Sequence, residues 1–183
     1  MARTASSEPK RIVVLGCTGS IGTQTLDVAR WQGYRPVALA GGHNADRLVA
    51  QAAEFRPDLV VCDPSVADRV RPHLPSGTRL ASGPEGLADA AVLEADAVVA
   101  AIPGFQGLEP TAAALRAGRH VALANKEAMV VAGPLMWELA GGSGARITPV
   151  DSEHSALFQA LVGEPRESVR ALVLTASGGP FRE

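Results

Sequence analysis

Residues 11–22 read RIVVLGCTGSIG, from Arg11 to Gly22, and their reading decides the fold. The apolar, β-branched run up to Leu15 predicts a short strand covered on both faces. It passes directly into a turn carrying Gly16, Gly19 and Gly22, and a helix-like segment over Ile21–Trp31 follows. Strand, glycine turn and helix form the arrangement in which backbone N–H groups and a helix N-terminus meet a dinucleotide pyrophosphate. Thr18 and Ser20 add hydroxyl donors, and the G-x-x-G-x-x-G spacing is a variant found in NADP-dependent folds. A turn that serves packing alone is the competing reading, and the strand–turn–helix context favours a nucleotide. Cys17 reads as a small filler of the loop.

Outward from this turn, short apolar runs alternate with longer Ala/Leu-rich stretches, the pattern of βα units. Strands are expected at Arg11–Leu15, Arg35–Ala40, Leu59–Cys62, Ala97–Ala101, His120–Leu123, Arg146–Val150 and Val169–Leu174. Helices are expected at Ile21–Trp31, Ala45–Phe55, Pro64–His73, Leu108–Ala117, Lys126–Ala140 and Ser155–Leu161. The Pro-, Gly- and Ser-rich stretch Leu74–Ala90 gives only a short strand near Arg79, and Gly141–Gly144 reads as a flexible joint. The sum is an α/β chain with a Rossmann-like, doubly wound, mostly parallel sheet. Ligands of such a sheet sit at the carboxyl ends of its strands.

Composition narrows the function. The 183 residues carry a net charge of −2, so no basic field exists to hold a nucleic-acid backbone or an anionic membrane. No apolar run approaches the roughly 20 residues needed to span a bilayer. Two cysteines, Cys17 and Cys62, fit a reducing, cytoplasmic setting rather than a disulfide framework. Residues 1–10, MARTASSEPK, read as a disordered leader. Of 17 basic residues only Lys10 and Lys126 are lysines. A lysine kept in mid-chain hints at a need for a compact ammonium.

Three further strand ends carry polar clusters. At the second, Gly41, Gly42, His43 and Asn44 stand where an NAD-selective site usually places a carboxylate. Its absence favours NADPH, with His43 and Asn44 facing a 2′-phosphate, although Asn44 also suits a helix cap. At the next, Asn125, Lys126 and Glu127 suit nicotinamide and substrate contacts, with a cap again the plainer role for Asn125. Beyond Val150, Asp151 and Glu153 fall on one side if the backbone stays extended, which suits a hard divalent cation, Mg²⁺ or Mn²⁺. Helix capping by this segment accounts for the same residues equally well, and His154 reads as structural. Near the C-terminus, Ser177, Gly178 and Gly179 form a turn able to attract phosphate.

Taken together, GCTGSIG, LANKE, PVDSEHSA and LTASGGPFRE resemble 1-deoxy-D-xylulose 5-phosphate reductoisomerases in content and order. The resemblance implies NADPH- and divalent-metal-dependent isomerisation and reduction of 1-deoxy-D-xylulose 5-phosphate to 2-C-methyl-D-erythritol 4-phosphate, in isoprenoid biosynthesis, by a homodimer. Carried over by motif, Thr18, Gly19, Ser20, Ile21, Gly42, His43, Asn44, Asn125 and Glu127 contact NADPH. Lys126, Ser152, Glu153 and Ser177 contact substrate, Asp151 and Glu153 hold the metal, and Lys126, Asp151 and Glu153 are catalytic. Cys17 stands where the family usually has serine, and His43 where it often has a basic residue.

The expected division is a leader over 1–10, a nucleotide-binding domain over 11–150, and the start of an α+β catalytic domain over 151–183. Family members continue for about as many residues again, with a third metal carboxylate, a lid and a C-terminal helical domain. The 183-residue chain by itself is therefore expected to bind NADPH and not to turn over. A free-standing NADP(H)-binding or regulatory module is the alternative. A semialdehyde dehydrogenase is disfavoured, because no cysteine nucleophile follows Cys62.

Overall fold

The computed structural model describes residues 8–175 and shows a single seven-stranded parallel sheet flanked by helices. Its strands are β1 (Arg11–Leu15), β2 (Arg35–Ala40), β3 (Leu59–Cys62), β4 (Arg79–Ser82), β5 (Ala97–Ala100), β6 (Val121–Leu123) and β7 (Ile147–Pro149). Their spatial order is β4-β3-β2-β1-β5-β6-β7. The chain winds outward from β1 to β4, returns across the sheet, and winds outward again from β5 to β7. The order reverses between β1 and β5, and that switch point is where a crevice opens in a doubly wound sheet.

The helices are α1 (Ser20–Gln32), α2 (Ala45–Phe55), α3 (Ala67–Val70), α4 (Gly83–Val92), α5 (Leu108–Arg116), α6 (Lys126–Ser143) and α7 (Ser152–Ala160). Alternation along β1 divides the core between the two faces. Ile12 and Val14 pack with Leu26 of α1, Leu48 of α2 and Val70 of α3. Val13 and Leu15 pack with Ala90 of α4, Leu115 of α5 and Met136 of α6. In β2, Pro36 has no N–H for the ladder, and the β1–β2 register slips by one residue between Ile12 and Val13.

Several elements depart from the sequence expectation. The segment Pro64–His73 is no single helix: short 3₁₀ turns at Pro64–Val66 and Arg71–His73 flank the four-residue α3. Pro72 interrupts the backbone hydrogen-bond ladder there. Within Leu74–Ala90 the strand near Arg79 is present as β4, and the start of an additional helix, α4, follows it. The Gly141–Gly144 joint is largely helical. Gly141 and Gly142 lie inside α6, and Gly144 ends it in the left-handed conformation at φ 74°. α6 is instead broken earlier, at Ala132 (φ −139°, ψ 28°), two residues before Pro134, whose ring opposes the preceding helical turn.

The expected strand Val169–Leu174 does not form in the structure: no strand occurs there, and Val173 and Leu174 lie exposed. A β-branched run becomes a strand only with a partner edge to pair with. Residues 1–7 of the expected leader, and Ser177 with its turn, lie outside the described residues. Lys10, the last residue of that leader, is tied to the sheet: its carbonyl accepts from the Arg35 amide at 2.7 Å and its ammonium pairs with Asp96 at 3.7 Å.

Candidate functional site

A cavity of about 710 Å³ opens at the carboxyl ends of β1, β2, β3 and β5, across the switch point. Thr18, Gly19, Gly42, Asp63, Ile102 and Phe105 are among the residues that line it. The glycine turn forms its floor. Gly16 has φ 89°, and a Cβ there would stand 2.5 Å from the carbonyl oxygen of Ala101. A Cβ on Gly22 would stand 2.2 Å from the Gly16 oxygen. These two glycines are demanded by the chain itself, one for the approach of β5 and one for the seating of α1.

Gly19 differs. Its φ is −79°, open to any residue, and the nearest atom to an added methyl would be the Gly16 oxygen at 3.4 Å. No internal contact requires glycine there; the free space above it faces the cavity. Gly19 is also the N-cap of α1 and offers no side-chain cap, so the first amides of the helix have no intrahelical acceptor. Thr18 and Ile21 are half-buried beside it, and Ser20 is exposed. Cys17 is fully buried, and burial pushes its thiol up to about 12, which keeps it unreactive and fits its reading as filler.

The β2 tip forms the second wall. Gly42 has open space where a side chain would stand. Asn44 caps α2, its Oδ1 accepting from the Arg47 amide at 3.1 Å. His43 is exposed, with Nδ1 3.6 Å from Asp63 Oδ1 and 3.4 Å from the Ser65 hydroxyl. The Ser65 hydroxyl and amide both donate to Asp63 and hold its carboxyl below the ordinary range, with His43 adding to the effect.

Asn125 lies beyond β6, and its side chain is engaged by the chain. The amide nitrogen donates to the carbonyls of Ile102 (2.7 Å) and Gly104 (2.9 Å), while Oδ1 caps α6 by accepting from Ala128 at 3.1 Å. It thereby pins the β5–α5 loop that walls the cavity. Lys126 and Glu127 follow on the exposed first turn of α6.

The acidic pair sits at the end of β7 and does not line the cavity. The premise of an extended backbone holds for Asp151 alone (φ −59°, ψ 146°), because Ser152 and Glu153 already belong to α7. Asp151 is the cap of that helix and pairs with His154 Nδ1 at 2.5 Å. Glu153 accepts from the Ser152 hydroxyl at 2.9 Å. That bond, its own amide and the nearby Lys126 ammonium hold the Glu153 carboxyl below its ordinary value. The fold thus brings Lys126 and Glu153, 27 positions apart in sequence, to neighbouring strand ends. Asp151 and Glu153 offer hard oxygen donors suited to Mg²⁺ or Mn²⁺. Among the described residues no group of three or more His, Cys, Asp or Glu side chains stands ready to hold a metal.

Two features escaped the sequence reading. The loop Ile102–Gln106 forms a cavity wall, and its signal was topological, since the strand across the switch point must contribute to the crevice. Arg47 and Gln51 of α2 donate to the carbonyls of Thr18 and Cys17, each at 2.9 Å. Only the placement of Asn44 as a cap, with Arg47 three residues on, pointed to the first.

Comparison with known proteins agrees with this fold. Residues 12–133 match the 1-deoxy-D-xylulose 5-phosphate reductoisomerase family, and residues 147–183 match the family's C-terminal domain. The reductoisomerase of Thermus thermophilus is 58% identical over 172 residues, covering 94% of this chain and 46% of its own length. The Zymomonas mobilis enzyme in complex with NADPH superposes with a TM-score of 0.89 at 42% identity, over 96% of this chain and 47% of that one. A reductoisomerase in complex with magnesium gives 0.86 at 39% identity, over 96% and 48%. The chain spans about half the length of the relatives it matches. Two consecutive regions matched in order, on a shared fold, establish that the chain belongs to the 1-deoxy-D-xylulose 5-phosphate reductoisomerase family.

Proposed function

We propose that this chain supplies the NADPH-binding part, and the first metal and substrate groups, of an enzyme that isomerises and reduces 1-deoxy-D-xylulose 5-phosphate to 2-C-methyl-D-erythritol 4-phosphate. The observation that carries the reading is Gly19, a glycine unneeded by its own chain at the floor of a cavity at the switch point. When bound, NADPH supplies hydride and a divalent metal polarises substrate oxygens.

The chain's residues divide the remaining work. The amides of Ser20 and Ile21 and the hydroxyl of Thr18 bind the pyrophosphate, and Gly19 lets it approach. Gly42, His43 and Asn44 contact the adenosine ribose. Asn125 and Glu127 serve the nicotinamide side, Asn125 chiefly by fixing the β5–α5 loop. Asp151 and Glu153 hold the cation, Ser152 and Ser177 orient the substrate, and Lys126 places an ammonium beside its oxygens. The domain division, nucleotide-binding to residue 150 and catalytic thereafter, belongs to the same reading, as does a homodimer of the parent protein in the cytoplasm. No helix among the described residues is long and apolar enough to cross a membrane. Exposed Val130 (84%), Trp137 (59%) and Val162 (67%) support burial of this end of the sheet in a larger assembly.

Calorimetric titration with NADPH tests the binding half, with saturable one-to-one binding as the expected result. Steady-state NADPH oxidation with substrate and Mg²⁺ tests the rest. Turnover that requires both substrate and Mg²⁺ is the result expected of the whole enzyme to which this chain belongs, with Asp151 and Glu153 as two of the oxygen ligands and water or substrate oxygens completing the octahedron.

A further inference from the structure

Arg47 occupies the third position of α2, directly behind the β2 tip. Its Nη1 donates to the Thr18 carbonyl at 2.9 Å, and its own amide is held by Asn44 at 3.1 Å. One residue therefore joins the glycine turn to the tip of β2. One helical turn further on, the buried Gln51 donates from Nε2 to the Cys17 carbonyl, while its Oε1 has no hydrogen-bond partner. α2 thus grips two successive carbonyls of the turn.

The guanidinium of Arg47 is exposed and carries five N–H donors in a planar fork. Among the described residues it forms no ion pair, and its acidic neighbours are engaged elsewhere. Asp46 pairs with Arg69 at 3.2 Å, and Asp63 takes hydrogen bonds from Ser65. His43 turns toward Asp63, with Nδ1 at 3.6 Å from its carboxylate. Arg47 carries a permanent positive charge and ties the glycine turn to the start of α2 beside the β2 tip.

We propose that Arg47 recognises the 2′-phosphate of NADPH and sets the preference over NADH, its contact with Thr18 holding the fork in register. The proposal rests on the dinucleotide reading above. In a doubly wound fold the ribose 2′ position lies at the β2 tip, where a carboxylate selects the hydroxyl and an arginine accommodates the phosphate. A planar fork suits that phosphate better than a lysine does. Gln51 supplies the internal control, because it touches the turn and not the ribose side.

The test titrates the 183-residue chain with NADPH and, separately, with NADH in a calorimeter, for the parent, Arg47→Met, Arg47→Lys and Gln51→Leu. Arg47→Met is expected to lose about 30-fold in NADPH affinity and under about 3-fold for NADH. Arg47→Lys should recover part of the NADPH loss, while Gln51→Leu should weaken both coenzymes by the same factor. An unchanged NADPH-to-NADH ratio in Arg47→Met overturns the proposal, assigns Arg47 to the turn alone and leaves the dinucleotide reading standing. If Arg47→Met does not fold, the ratio in Arg47→Lys decides in the same way. A parent chain that folds and binds neither coenzyme removes the dinucleotide reading and the proposal with it.

Discussion

The two ends of one sheet are built to different standards. At the β1 end, four of five strand residues are buried, the turn is locked by Gly16 and Gly22, and α2 holds its carbonyls from behind. At the β7 end, the three strand residues are only partly buried and α7 has no buried residue. The crevice at the switch point is therefore walled within this chain. The acidic end presents suitable groups on a scaffold that its own packing barely secures.

The sharpest way to break this comparison is through two glycines three residues apart. Gly22→Ala forces a methyl into backbone and should cost about 3 kcal/mol in denaturant unfolding. Gly19→Ala should move stability by under about 0.5 kcal/mol yet lower NADPH affinity about tenfold or more. A Gly19→Ala variant that binds NADPH as tightly as the parent would place the ligand elsewhere.

Equivalent caps at the two ends sharpen the contrast. Asn125→Ala removes a cap and leaves the carbonyls of Ile102 and Gly104 unpaired, so unfolding should weaken by about 2 kcal/mol. Asp151→Ala removes a cap of the same kind from α7. It should leave the global transition almost unmoved and speed hydrogen exchange in residues 152–160, because local opening there exposes little core. Equal global losses from both variants would contradict the asymmetry.

The smallest expected effect is a pH dependence beside β6. Burial, Arg146 and Lys10 lower the pKa of His120, whose Nε2 lies 2.8 Å from the Thr148 hydroxyl. Its folded value is below the unfolded one, so the unfolded chain takes up the proton first. The stability tied to neutral His120 is complete above its ordinary value of 6.5 and is lost as pH falls below it. Thermal melts from about pH 7.5 down to about pH 5 should show this loss, and His120→Asn should flatten it.

The same asymmetry governs what was legible in the sequence. β1, β2 and β3 matched expectation to the residue, because strands buried on both faces are written as unbroken apolar runs. α4 was hidden by Gly83 and Gly86. The latter is needed because a Cβ there would lie 3.0 Å from both Ala81 and Val61. Val169–Leu174 has the composition of a strand, but composition does not say whether an edge is available. For the acidic pair the sequence left two geometries open, an extended pair or a helix cap, and the cap is the one that forms, with Asp151 starting a helix. Arg47 had only the Asn44 cap three residues before it as a signal, because its importance comes from a hydrogen bond to Thr18, 29 residues away.

NADPH held at the glycine turn is the claim on which the most depends. Hydrogen exchange read by mass spectrometry, with and without NADPH, tests it directly. Slowed exchange in residues 16–22 and 41–47, with residues 152–160 unchanged, is the predicted result. Protection confined to 152–160, or binding with no slowing in 16–22, would contradict it.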